Sequence, residues 1–169
     1  KHTQLQDTFG IILLALVNGV PKIMSLKEIL NHFIDFRHEV IVRRTTFELK
    51  EAEARAHLLE GLKIALDNID DVIKIIRGSK NPTQAKEGLM NGFSLSEVQA
   101  QAILDMRLQK LTSLEVDKVV NEYKDVIKTI AHLKGILESK KQRMDIIKNE
   151  LLNIQEQYGD DRLTEIIPV

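Results

Sequence analysis

The sequence predicts a mainly α protein: a long antiparallel coiled-coil arm with a small helical globule at its tip, plus a short β-hairpin near the N-terminus. Three observations carry that expectation. Val116, Val119, Tyr123, Val126, Ile130, Leu133 and Leu137 alternate at three- and four-residue steps, the spacing of a coiled-coil seam. From Leu26 onward a helical pattern runs with no Pro, and with no Gly before Gly61. Asn18-Gly19 separates two apolar runs, and this pair is the favoured two-residue hairpin turn because both positions tolerate positive φ.

Composition agrees with an extended helical protein. Of 169 residues, 29% are charged and only 4% aromatic, which favours helices with charged outer faces over a thick core. The net charge of −1 gives no overall attraction to nucleic acid. The absence of Cys excludes disulfides, zinc–thiolate sites and thiol chemistry, and suits the cytoplasm. The longest near-apolar run, from Gly10 to Val17, is too short to span a bilayer, so no membrane partner is expected. A start at Lys1 without a signal-like segment suggests a piece of a larger protein.

Gly10-Ile-Ile-Leu-Leu-Ala-Leu-Val17 and Val20-Pro-Lys-Ile-Met24 read as the two strands, with Pro21 limiting the second to an edge. A lone hairpin is unstable in water, so its other partners are expected upstream. Ser25-Leu-Lys-Glu28 is a capping box and starts the first long helix. Its apolar residues thin to a stripe at Val40, Phe47, Ala54 and Leu58, then thicken to Leu62, Ala65, Leu66, Ile69, Val72, Ile73 and Ile76. A narrow stripe suits a two-helix contact and a wide one suits burial in a globule. Gly61 reads as a point of close packing within an unbroken helix. The pattern ends at Gly78.

Asn81-Pro82 reads as an N-cap followed by Pro at the first helical position. The helix it opens is expected to stop near Met90, with a turn at Asn91-Gly92. Ser94 with Glu97 and Ser96 with Gln99 are overlapping capping boxes that open a dense apolar segment from Leu95 to Glu115. Leu95, Val98, Ala102, Ile103, Met106, Leu108, Leu111 and Leu114 line this segment. A head of this size cannot bury all of them, and surplus apolar surface marks a partner site. A homodimer is the default partner.

Thr112 with Glu115 caps the coiled-coil helix. Its seam continues in phase through Lys140 to Met144, Ile147, Leu151, Ile154 and Tyr158. Ser139-Lys-Lys-Gln142 is a further capping signal beside the polar Lys140, and it divides the pattern into helices of about 113–138 and 140–158, with a single bent helix as the alternative. Gly159-Asp-Asp161 stops the last helix, and an extended tail follows.

No catalytic constellation stands out. His2, His32, His38, His57 and His132 lack metal-helix spacing, the glycines form no phosphate loop, and carboxylates such as Glu48, Glu51 and Glu53 suit pairing along a helix with Arg44 and Arg55. Tyr123 and Tyr158 fall on the seam and read as core residues, without the exposed setting of a nucleophile. Arg37, Arg43 and Arg44 with Lys50 give a local basic stretch: a solvated face, or a candidate DNA-facing surface acting through phosphate charge.

The stretch from Arg37-His-Glu-Val-Ile-Val-Arg-Arg-Thr-Thr-Phe47 through to Asp70 resembles the family of DNA gyrase A subunits, with the A subunits of topoisomerase IV as its close relatives. So do Ala102-Ile-Leu-Asp-Met-Arg-Leu-Gln-Lys-Leu111, Thr3-Gln-Leu-Gln6 with Phe9-Gly10, and Gly159-Asp-Asp-Arg-Leu-Thr-Glu165. The resemblance implies a segment of an ATP-dependent, cytoplasmic, chromosome-associated type IIA DNA topoisomerase. It implies the end of the tower region over 1–36, an outgoing coiled-coil helix over 37–68, and a tip globule over 69–113. A return helix over 114–138 and a C-terminal helix and tail over 139–169 complete the division.

In such a protein two tip globules meet as the C-gate, through which the transported duplex leaves. The expected interface is Leu95, Gln99, Ala100, Ile103, Leu104, Met106 and Arg107. The implied partners are a second copy, the gyrase B subunit of the parent heterotetramer, and double-stranded DNA. The family's catalytic Tyr lies in an upstream motif that matches neither Tyr123 nor Tyr158, so no catalytic, cofactor or metal residue is expected in this chain. ATP and Mg belong to the gyrase B partner. A coiled-coil scaffold without DNA chemistry is the alternative that the seam alone would also fit.

Overall fold

The computed structural model describes residues 10–107 and 113–165. The Thr112 capping box, Leu108, Leu111 and the last four residues of the tail lie outside them, as do the side chain of Leu114 and the Thr3–Phe9 motif. The element order is β1 (Leu14–Val17), β2 (Val20–Ile23), α1 (Leu26–Asp67), α2 (Ile69–Gly78), α3 (Pro82–Phe93), α4 (Glu97–Leu104), α5 (Ser113–Glu138) and α6 (Lys140–Tyr158). The protein is mainly α with one two-stranded antiparallel hairpin, as expected. It divides into two compact units. One takes the chain up to Val42 and from Lys141 onward, and the other is Arg43–Lys140.

In the first unit β1 and β2 pair in register from Leu14 opposite Ile23 to Val17 opposite Val20. Asn18 at φ 52° and Gly19 at φ 80° make the turn, which needs positive φ at both positions. Pro21 stands opposite Leu16, where its missing N–H is harmless because β2 pairs on one side only. The Ser25 capping box is present: the Ser25 N–H donates to Glu28 Oε2 at 2.8 Å and the Glu28 N–H to Ser25 Oγ at 3.3 Å. Within this unit α1 and α6 run antiparallel, linked by the Arg37–Glu150 ion pair and by Arg143 Nε donating to His38 Nε2 at 2.9 Å.

The second unit has its core at Ala65, Val72, Leu89, Leu95, Ala100 and Ile103, contributed by α1, α2, α3, the α3–α4 junction and α4. Here α1 and α5 run antiparallel. Arg55 Nε donates to Glu122 at 2.7 Å and Lys134 pairs with Glu53 at 2.8 Å.

Three local expectations need correction. The first long helix breaks at Asn68, ten residues before Gly78. Asn68 leaves helical backbone (φ −126°, ψ 38°), its side-chain amide donates to the Ile64 carbonyl at 2.9 Å, and its own carbonyl accepts from the Asp71 and Val72 amides. With Asp70 and Asp71 in the first turn of α2, this is a helix start that Asn and two acids favour.

Second, α3 does not turn at Asn91-Gly92 but runs on to Phe93. Ser94 takes the left-handed conformation at φ 54°, and the Leu95 amide reaches back to the Met90 carbonyl. This closure drops Leu95 into the core, where it is 5% exposed. Ser94 is therefore a helix end, and Ser96 alone caps α4.

Third, the buried stripe of α1 is shifted. Ile41, Thr45, Ala56 and Leu59 are buried, whereas Phe47 is 65% exposed and Ala54 is exposed. Placing Thr45 inside and Phe47 outside inverts what hydrophobicity alone predicts.

Helix α1 does run unbroken through Gly61, and α5 and α6 meet at Ser139 as two helices. The Ser139 amide still closes on the Gly135 carbonyl at 3.1 Å.

Candidate functional site

Helix α4 contributes Ala100 and Ile103 to the core of the Arg43–Lys140 unit. It opens on a reciprocal capping box. The Gln99 N–H donates to Ser96 Oγ at 3.2 Å, and the Ser96 N–H donates to Gln99 Oε1 at 2.9 Å. Gln99 is then carried inward against α1, where it is only 5% exposed. Its amide nitrogen donates to the His57 carbonyl at 2.8 Å and lies 3.3 Å from His57 Nδ1. His57 Nε2 in turn lies 2.8 Å from Ser96 Oγ. A buried amide is tolerated only when its groups are satisfied, and these contacts satisfy them.

The seven residues expected to make a dimer contact divide sharply. Leu95, Ala100 and Ile103 belong to the core of their own unit, and Gln99 is committed to α1. None of these four offers surface to a partner. Leu104 and Met106 are half-buried and Arg107 is exposed. Val98, which sequence reasoning left out of the contact set, is 61% exposed on the same helix. Its spacing from Leu95 and Ala102 looked like core spacing, and only the direction of the Gln99 anchor shows which face turns outward.

A cleft of about 440 Å³ lies beside α4, lined by Leu58, Leu62, Ala102, Met106, Arg55 and Arg107, with Asp105 at its edge. Glu97 pairs with Lys86 of α3 at 2.7 Å, and that hydrogen bond holds its carboxyl below the ordinary glutamate value.

Of the α5 seam, Leu133 is buried, and Val116, Val119, Tyr123, Val126, Ile130 and Leu137 are half-buried. In α6 only Ile147 of the seam is buried; Met144, Leu151, Ile154 and Tyr158 are exposed. Tyr158, at 78% exposure, is not the core residue that its spacing suggested.

Of the basic stretch, Arg37 pairs with Glu150, and Arg43 and Arg44 lie exposed on α1. Among the described residues there is no cluster of three His, Cys, Asp or Glu able to hold a metal, and no helix long and apolar enough to cross a membrane.

The comparisons with known proteins agree with one another. The family model for the A subunit of DNA gyrase/topoisomerase IV matches residues 1–152. The chain is 58% identical over 166 residues to the DNA gyrase A subunit of Clostridium acetobutylicum and 57% identical to that of Halalkalibacterium halodurans. It is 50% identical to the DNA gyrase A subunit of Helicobacter pylori strain J99. Each match covers 98% of this chain and 20% of the relative, so the chain spans about a fifth of the length of the curated relatives it matches.

Proposed function

The chain belongs to the family of DNA gyrase/topoisomerase IV A subunits, and on that premise we propose that it is the exit-gate segment of a gyrase A subunit. Two copies would meet through the tip unit and hold the enzyme together while one DNA duplex is broken. The gate would then part to release the transported duplex. Catalysis of strand breakage would lie elsewhere in the parent protein, and ATP and Mg would be handled by gyrase B.

One observation carries the reading. Val98 and Met106 lie outside the core of the Arg43–Lys140 unit, and Leu104 packs against that core but stays only half-buried, which leaves a small apolar surface on and just after α4. A small surface suits a contact that must reopen, because an obligate interface buries far more area. Arg43 and Arg44, exposed on α1, are candidates for a salt-sensitive contact with the passing duplex.

The test uses the full-length protein carrying Leu104→Glu. A charge at a closing apolar contact is costly to desolvate. Weakened dimerisation by sedimentation velocity, together with slower ATP-dependent supercoiling when gyrase B is supplied, is the expected result. An unchanged dimer with unchanged supercoiling would remove Leu104 and this surface from the gate.

A further inference from the structure

The orientation of the Gln99 amide is settled by two partners that cannot exchange roles. The Ser96 N–H, a donor, faces one end, and the His57 carbonyl, an acceptor, faces the other. Oε1 must therefore point to Ser96 and the NH₂ group to His57. That NH₂ group also lies within hydrogen-bond distance of His57 Nδ1, at 3.3 Å. Nδ1 must then be the acceptor, the ring must be neutral, and its proton must sit on Nε2, where it donates to Ser96 Oγ at 2.8 Å.

We infer that His57, Gln99 and Ser96 form a proton-sensitive latch between α1 and α4, closed while His57 is neutral and protonated on Nε2 alone. A second proton would set an N–H on Nδ1 against the amide NH₂, two donors face to face. Gln99 cannot answer by turning its oxygen round, because Oε1 is held by the Ser96 N–H and the turned amide would set that oxygen against the His57 carbonyl. The ring or the amide must swing away, and the Nε2–Ser96 bond is strained with it.

The charged groups around the ring do not replace this control. Glu53 and Glu60 lie one helical turn to either side on α1, and Glu53 is paired with Lys134 of α5. Glu97 on α4 is paired with Lys86 of α3, and Arg55 is turned to Glu122 of α5. His57 is exposed at its rim, so a proton can reach it without unfolding. Histidine is the side chain that changes charge near neutral pH. The latch lies wholly within the Arg43–Lys140 unit and is independent of the exit-gate reading.

The chain labelled with ¹⁵N-histidine tests it directly. At about pH 7.5, long-range ¹H–¹⁵N spectra are expected to show His57 bare at Nδ1 and protonated at Nε2. His38, whose Nε2 accepts from Arg143, should show the opposite tautomer in the same spectrum. A neutral His57 protonated on Nδ1 overturns the inference.

Amide exchange of α4, read at Ala100, supplies the second measurement. Beyond the intrinsic effect of pH, protection should fall about fivefold or more once the ring takes its second proton on acidification. His57→Gln, which carries no titrating ring, should show no such fall. A pH-independent wild type, or the same fall in both proteins, overturns it as well. The tautomer is read on the unmodified chain, so the outcome does not hang on how well the variant folds.

Discussion

The side chain of Gln99 occupies the space where a side chain on Gly61 would begin: a Cβ at Gly61 would stand 2.7 Å from both Cβ and Cγ of Gln99. Helix α4 can seat its one buried amide on α1 only because α1 has no side chain there. Gly61→Ala would raise helix propensity by about 1 kcal/mol, yet the overlap is with the stiff base of Gln99. We expect a net destabilisation of about 1–3 kcal/mol by urea unfolding. The double variant with Gln99→Ala should cost less than the sum of the two single changes, because the obstacle is gone. A stabilised Gly61→Ala would show that the contact gives way easily.

Leu89 is fully buried in the core of the Arg43–Lys140 unit, and Phe47 is 65% exposed on α1. Leu89→Ala should cost about 2–5 kcal/mol. Phe47→Ala, although it removes more carbon, should stay within about 0.5 kcal/mol, as surface changes do. Equal costs in thermal unfolding would mean that the register of α1 is wrong.

Glu28 closes the capping box of α1. Its bond from the Ser25 amide, then the Ser25 hydroxyl and Lys22, hold its carboxyl below the ordinary value. A carboxyl lowered on folding contributes stability that is complete above the unfolded value of about 4.3 and is lost as pH falls through the lower folded value. The Ser25 amide resonance should therefore titrate with a midpoint below that of an exposed glutamate. Its exchange should quicken only once the pH has passed that midpoint. Ser25→Ala should move the Glu28 midpoint back up.

Arg37 and Glu150 join α1 to α6 with side chains 29% and 27% exposed. A pair so partly screened is worth little, so Glu150→Gln should cost about 1 kcal/mol or less. The cost should shrink as salt rises toward about 1 M. A double-mutant cycle with Arg37→Met would isolate the coupling. A salt-independent loss would mean that packing, rather than charge, joins these helices.

Where a structural signal was local, it was legible. Asn18-Gly19, Ser25 with Glu28, Asn81-Pro82 and Ser96 with Gln99 each act through bonds spanning no more than three residues, and each forms as its residue types require. The break between α5 and α6 at Ser139 also falls where the sequence placed it. Errors arose where two local readings competed. Ser94 had the sequence of a helix start but serves as a helix end, because the αL turn there is what admits Leu95 to the core. Asn68 lay inside an apolar pattern that read as one helix up to Gly78, and the break appears only in the fold.

The class of the fold, the hairpin, most helix ends and the spacing of the α5 seam follow from the order of residue types. These depend on backbone geometry and on neighbours a few residues apart. Which apolar residues face inward was settled instead by packing between helices. Phe47 and Val98 lie outside, while Thr45 and Gln99 lie inside. Periodicity marks a stripe but not its partner, and a polar group enters a core wherever another helix brings it a matching donor or acceptor. For Gln99 that match is the His57 carbonyl, 42 residues away in the chain, and the bare backbone of Gly61 beside it.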